Sequence, residues 1–297
     1  MGRIKYLAFL GVLIICVFMI THRFWFSPDQ FFIVALIGSF LIGRARLFLF
    51  DWVPFIASYF AYEFTRGIVP HLKNIHILGM IKLDSFFFGF IPAAKFQSLF
   101  YNPNQVHWYD YLSALLYISH FVTPMIAGFL FWLTDRKIFK QYALAFIVLS
   151  YAGLVTFILF PAMPPWMASD MGYITTKIPQ TLGPIMSHFP VLHASFPTLY
   201  SLIDADPVAA IPSLHAAFPL LILLFLIKKY KKYGLLFVPY VAGVWFSVMY
   251  LGEHYFTDIL IGSIYAIVVF LIVDNWKFLH SSFTIMLANL KKTLNIA

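Results

Sequence analysis

Two short stretches of this chain bring together residue types suited to nucleophilic and acid–base chemistry. Pro212-Ser213-Leu214-His215 stands at the head of one long apolar run, and Gly252-Glu253-His254-Tyr255-Phe256-Thr257-Asp258 stands at the head of a later one. His254 and Asp258 are spaced i, i+4, so on a helix they share a face. A carboxylate on one ring nitrogen fixes the tautomer and leaves the other nitrogen with a lone pair that can attack. His215 supplies a second titratable ring, able to protonate a leaving oxygen. Ser213 sits at a helix start, where free N–H groups and a hydroxyl can cradle a phosphate. Taken singly, these residues read blandly. Ser213 is an N-cap, Asp258 is a charge at a helix N-terminus, and isolated histidines such as His120, His188 and His193 are packing residues. The joint pattern carries more, because ionisable groups at membrane depth are costly.

Such residues need rigid elements to hold them, and composition says what kind. Of the 297 residues, 62% are hydrophobic, 20% aromatic and only 11% charged, against roughly 25% charged in soluble domains. Continuous apolar runs, without period-two alternation, imply an all-α integral membrane protein rather than a barrel. Membrane segments are expected at 6–21, 31–50, 52–69, 111–134, 138–160, 210–227, 235–251 and 256–274. In the 52–69 segment Asp51 reads as an N-cap with Pro54 in the first turn, while Glu63 and Arg66 leave open an interfacial helix. The basic N-terminus resembles a signal peptide, but bulky aromatic residues follow where small ones would mark cleavage, so an uncleaved first helix is expected. Cys16, alone of its kind, excludes an internal disulfide.

The net charge of +8 comes from short basic clusters between apolar runs, which indicates membrane topology rather than nucleic-acid binding. Arg3, Lys5, Arg44, Arg46, Arg136, Lys137, Lys140, Lys228, Lys229, Lys231, Lys232, Lys277, Lys291 and Lys292 fall on one side, which is therefore expected to be cytoplasmic. Both histidine stretches then lie at the opposite, extracytoplasmic ends of their helices, at one depth. Two outward segments, about 70–110 and 161–209, are rich in aromatics and proline and are expected to cap a cavity.

The two stretches resemble motifs two and three of the type-2 phosphatidic acid phosphatase (PAP2) superfamily, and most closely its inositolphosphotransferase branch, which includes inositol phosphorylceramide synthases. Phe160–Trp166 (FPAMPPW) is similar to a segment of that branch, and Asp51–Arg66 and the stretch around His120 resemble its bacterial members. The resemblance implies a six-helix catalytic core over 51–275, preceded by an N-terminal transmembrane hairpin over 1–50 and followed by a cytoplasmic tail over 276–297. It implies a lipid phosphoesterase or phosphotransferase of the plasma membrane, with an extracytoplasmic site. Its substrate would be a membrane lipid, its acceptor a lipid alcohol or water, and it would need no cofactor and no metal. His254 would be the nucleophile that forms a phosphohistidine, Asp258 its orienting acid, His215 the general acid and Ser213 a phosphate ligand.

The departures are informative. Val248 stands where the family has an arginine, Leu214 replaces a glycine, and no first-motif lysine or arginine flanks Phe160–Trp166. A phosphomonoester dianion calls for several cations and a phosphodiester for fewer, so the loss favours transfer of a phospho-headgroup over hydrolysis of phosphatidate-like or polyprenyl phosphates. On the outer side only Arg23, Arg66, Lys73, Lys82, Lys95 and Lys177 could compensate. Arg66 is the expected substrate-binding cation, because a guanidinium grips phosphate oxygens as a fork; the competing role is an ion pair with Glu63. Two readings of other classes stand beside these. His215, His254 and Asp258 could form a two-His, one-carboxylate zinc set, although no H-x3-H pair accompanies them. A transporter would carry internal repeats, and none is visible.

The topology is directly testable. A cysteine placed at Ser169 labels with a membrane-impermeant thiol reagent in intact cells, and one at Lys231 does not; the reverse pattern inverts the orientation.

Overall fold

A computed structural model describes residues 28–68, 75–188 and 208–275, together with Leu7, Leu10, Gly11 and Ile14. Apart from those four helical residues, the segment expected over 6–21 lies outside the described residues, as do Arg23, Lys73, His193 and the tail 276–297. Twelve α-helices follow in order: α1 (Pro28–Leu41), α2 (Ala45–Ile68), α3 (Leu78–Phe88), α4 (Pro92–Phe100), α5 (Trp108–Ser119), α6 (Thr123–Thr134), α7 (Arg136–Leu159), α8 (Pro165–Asp170), α9 (Leu182–Ser187), α10 (Leu214–Tyr230), α11 (Val238–Tyr250) and α12 (Phe256–Asp274). No strand occurs among the described residues, so the all-α membrane fold is observed.

Three stretches among the described residues are long and apolar enough to cross a membrane: α7, α12 and Leu214–Tyr250. The last contains 37 residues. It doubles back at a 3-10 turn over Lys231–Phe237, where Lys231 adopts φ 56°. Trp245 Nε1 donates to the Ala216 carbonyl at 3.1 Å, so α11 returns antiparallel beside α10. The α5–α6 pair makes a fourth candidate, bent by 56°.

Two expected segments change shape. The run 111–134 is broken at 120–122, because Pro124 lies in the first turn of α6 and disfavours helix just before it. Tyr240 bridges the break, sharing a 2.7 Å hydrogen bond with Ser119 Oγ and donating to Thr123 Oγ1 at 2.9 Å. At the other site, the division between 50 and 51 falls inside α2. Asp51 is not an N-cap: the chain turns earlier, at Gly43 with φ +69°, and Asp51 lies within the helix. There it accepts from Arg136 Nε and Nη2 at 2.5 and 2.7 Å and from Trp132 Nε1 at 3.0 Å. An ion pair to α7 outweighs a local cap. Pro54 is likewise interior to α2.

The high aromatic content is spent where α1 and α2 meet α6 and α7. Trp52 stacks on Phe48 at 5.2 Å between ring centres and lies 4.9 Å from Phe139, with Phe31, Phe55 and Phe129 around it. Aromatic contacts of this kind add about 0.5–1.5 kcal/mol each beyond area burial. α7, α10 and α12 pack together beside this cluster.

The N-terminal ends of α10 and α12 are locked by backbone contacts. Gly262 lies so close to α10 that a Cβ on it would stand 2.3 Å from the Ser213 carbonyl oxygen. Ser213 N–H donates to the Asp258 carbonyl at 3.1 Å. From α3, buried Asp84 accepts from the Phe256 and Thr257 N–H groups, both at 3.0 Å, and from Thr257 Oγ1 at 2.6 Å. These are the orphan donors of a helix N-terminus. Burial raises the Asp84 carboxyl above its usual range, and the Thr257 and Phe256 hydrogen bonds work against that rise.

Gly262→Ala is expected to destabilise the protein by about 1–3 kcal/mol through overpacking against backbone, and to cut activity further by separating the two helix heads. Asp84→Ala, which strips three hydrogen bonds from the start of α12, is expected to cost a comparable amount. Thermal unfolding in detergent checks both; unchanged melting in either variant contradicts this account.

Candidate active site

The lock between α10 and α12 brings the two motifs together. Pro212 and Ser213 end an extended segment, and Ser213 Oγ accepts from Ala216 N–H at 3.3 Å, capping α10. His215 therefore sits in the first turn. His254 lies in the short connection after α11, where its N–H and that of Glu253 both donate to the Val248 carbonyl. The turn requires Gly252: its φ is +82°, and a Cβ there would press within 3.2 Å of Gln97, Ile178 and Pro179.

Three side chains then form a line. His215 Nδ1 lies 3.1 Å from His254 Nε2. His254 Nδ1 lies 3.4 Å from Asp258 Oδ2. The same Asp258 oxygen accepts from Tyr255 N–H at 2.9 Å, as in a capping box. His254 is not on the helix, as the i, i+4 spacing suggested. It precedes α12, and the cap rather than a helical face turns Asp258 toward it. If His254 Nδ1–H points to Asp258, its Nε2 accepts from His215 Nδ1–H, and one tautomer pattern serves both contacts, leaving buried His215 Nε2 and Asp258 Oδ1 without a hydrogen-bond partner. Atoms strung in series do not converge on one centre as zinc ligands must, and no group of three metal-ligating side chains occurs among the described residues.

The line opens on a cavity of about 370 Å³. Its walls include His215 and His254, Tyr117 and His120 from the α5–α6 break, Tyr59, Tyr62, Glu63 and Arg66 from α2, Trp166 from α8, and Gln180 and Glu253. Arg66 is thus in the same cavity as the histidines. It also binds Glu63 Oε2 through Nε and Nη2 at 3.1 and 2.8 Å, so the ion pair expected as a competing role coexists with a cavity position. Ser213 is not among the lining residues: it is fully buried, and its hydroxyl serves the cap. Lys82, Lys95 and Lys177 are exposed and do not line this cavity. Val248 is fully buried, so no cation replaces the missing arginine at that position.

His120, expected to be a packing residue, is buried, and what it packs against is the site: its ring centre lies 3.8 Å from that of His215, while Tyr117 stacks on His215 at 4.4 Å and 20°. Its Nδ1 lies 2.8 Å from the Tyr117 carbonyl, which also accepts the His120 N–H at 3.4 Å. Tyr117, Trp166, Gln180 and Glu253 were not given roles either, although Trp166 and Glu253 lie within the stretches Phe160–Trp166 and Gly252–Asp258 and Tyr117 within the stretch around His120; no signal in the sequence pointed to Gln180.

Comparison with known proteins follows this geometry. The PAP2 superfamily model matches residues 79–272, from α3 to the last turns of α12. The chain is 27% identical over 221 residues to phosphoinositol dihydroceramide synthase of Bacteroides thetaiotaomicron, covering 71% of each chain. It is 26% identical over 289 residues to inositol phosphorylceramide synthase of Candida albicans, covering 91% of this chain and 57% of that one. To the inositol phosphorylceramide synthase catalytic subunit of Saccharomyces cerevisiae it is 27% identical over 275 residues, covering 88% and 65%. No solved structure matches. A family match over most of the chain, around the very helices that carry the histidines, makes this chain a member of the PAP2 superfamily.

Proposed function

We propose that the chain transfers a phospho-headgroup from a lipid phosphodiester to the hydroxyl of a lipid alcohol, through a phosphohistidine on His254. The observation that supports this most is the line Asp258–His254–His215 at the edge of a cavity that also holds Arg66. The names of the relatives support an inositol phosphate headgroup and a ceramide-like acceptor. The basic residues Arg44, Arg46, Arg136, Lys228 and Lys229 sit at the ends of their helices opposite the histidines, which supports an extracytoplasmic site in the plasma membrane.

The phosphoryl group enters in place of the direct His215–His254 contact. The His254 Nε2 lone pair attacks phosphorus, an N–P bond forms and the bond to the departing diacylglycerol oxygen breaks. His215, entering the step as imidazolium, gives that oxygen a ring proton and becomes neutral. Asp258 holds Nδ1–H and stabilises the charge on the ring. The acceptor hydroxyl then loses its proton to His215 and attacks phosphorus, and the N–P bond breaks. One phosphoester is exchanged for another and both histidines return to their starting states. Arg66, with part of its charge committed to Glu63, suits a monoanionic diester.

Purified protein given labelled phosphatidylinositol and ceramide is expected to yield a new phosphosphingolipid and diacylglycerol; free inositol phosphate as the dominant product would instead make water the acceptor. His254→Ala is expected to abolish both turnover and the acid-labile phosphoenzyme. His215→Ala slows both half-reactions, with the first partly restored by an activated leaving group. EDTA leaves activity intact, and a loss restored by zinc would support the metal reading instead.

Arg66→Ala is expected to lose roughly 2–3 kcal/mol in kcat/KM, the scale of a charge-assisted hydrogen bond to phosphate. Normal turnover with normal expression removes Arg66 from the site.

A further inference from the structure

Glu253 poses an electrostatic problem. It is the residue before the proposed nucleophile, its side chain lines the cavity, and the cavity is to receive an anion. A carboxylate there repels phosphate, so its presence calls for a compensating task. Holding the neighbouring loop is not sufficient as that task. Gln97 Nε2 already ties Pro179 O at 3.0 Å to Tyr250 O at 2.9 Å, and Thr181 N–H and Oγ1 both reach Leu251 O at 3.5 Å. The loop is anchored on both sides of Gln180 without Glu253.

What Glu253 does have is a partner that aims it. Gln180 Nε2 donates to Glu253 Oε1 at 3.1 Å, and the Trp166 side chain also donates to this carboxylate. Burial raises the Glu253 carboxyl above its usual range, with Gln180, the neighbouring His254 and Trp166 opposing the shift, so a further donor supplied by a ligand would act in the same direction as these partners. The surrounding walls mix acceptors with donors: Glu253 and Glu63 beside the Gln180 amide, Arg66 and the phenols of Tyr59, Tyr62 and Tyr117. Hydroxyl groups both donate and accept, and use both kinds of partner. A quaternary ammonium would use only the carboxylates and rings and would face Arg66. The cavity, at about 370 Å³, is within the range of small-molecule sites, about 300–1,000 Å³, and larger than a phosphate alone needs.

We propose that the Glu253–Gln180 pair is a specificity site that reads the hydroxyls of a polyol headgroup and holds that headgroup beside His254. The inference rests on the phosphotransferase reading above and deepens it. It assigns headgroup selection to two side chains that take no part in the bond-making steps.

The test compares two monoanionic donors, phosphatidylinositol and phosphatidylmethanol, the second lacking headgroup hydroxyls. Diacylglycerol release is measured with ceramide as acceptor, using full-length protein in detergent micelles. Wild type is expected to prefer phosphatidylinositol, and both Glu253→Gln and Gln180→Leu are expected to shift the ratio of kcat/KM values at least tenfold toward phosphatidylmethanol. That size of effect is reasonable for a site whose buried polar groups are built to meet hydroxyls. If Glu253→Gln fails to fold, Gln180→Leu carries the same comparison. A wild type that turns over both donors, with variants that slow both by one common factor, overturns the specificity site and leaves phosphotransfer standing. A wild type that turns over neither donor overturns both.

Discussion

The close approach of α12 to the head of α10 is the constraint on which the rest depends. A hydrogen at Gly262, where any other residue carries Cβ, lets the Ser213 backbone settle against α12, and Ser213 N–H then bonds the Asp258 carbonyl. Ser213 is on the same helix head as His215, and Asp258 and Gly262 are on the helix that His254 leads into, so these contacts set the 3.1 Å separation of the rings. Two side-chain rings alone could not hold that distance, because each can rotate. Backbone locked to backbone at the helix heads removes the freedom, which is how a site is pre-organised before substrate arrives.

The charges are segregated accordingly. Asp51–Arg136, Asp135–Lys229 and Asp274–Lys228 pair at the end of the bundle away from the histidines. Between α10 residues 215 and 228 the helix rises about 20 Å at 1.5 Å per residue, and the span is filled by apolar and aromatic packing. Paired charges at one end and a polar cavity at the other are what a membrane-embedded enzyme needs. The first set anchors the bundle at the polar boundary, and the second meets a lipid headgroup with little competing water.

Within the cavity the balance of charge is unusual for phosphate chemistry. One arginine faces two glutamates, and the position that could have held a second arginine is a buried valine. A dianion would meet too little positive charge there. A monoanionic diester with hydroxyls on its headgroup meets a guanidinium, two carboxylates, an amide and phenols, all of them groups it can use. The electrostatics and the hydrogen-bonding inventory thus favour the same kind of ligand.

The all-α membrane class, the family and the pairing of His215 with His254 and Asp258 were legible in the chain itself. Apolar runs without period-two alternation can satisfy their backbone only as helices, and two polar motifs at the heads of such helices fall at one depth by topology. The resemblance carried the family from the same residues. What no reading of separate segments could supply was contact between them. Asp51 has the local chemistry of an N-cap, and only the arrival of Arg136 from α7 shows that it is an interior ion-pair residue. His120 looked like packing because its neighbour His215 is far away in sequence and the intervening helix break redirects it. Asp84 and Gln180 carry no motif, and Glu253 lies inside one without a role read for it, since their value lies in which groups reach them from other elements. Periodicity and spacing report a residue's own helix. The partners of a buried polar group are chosen by packing, and packing exists only in the folded chain.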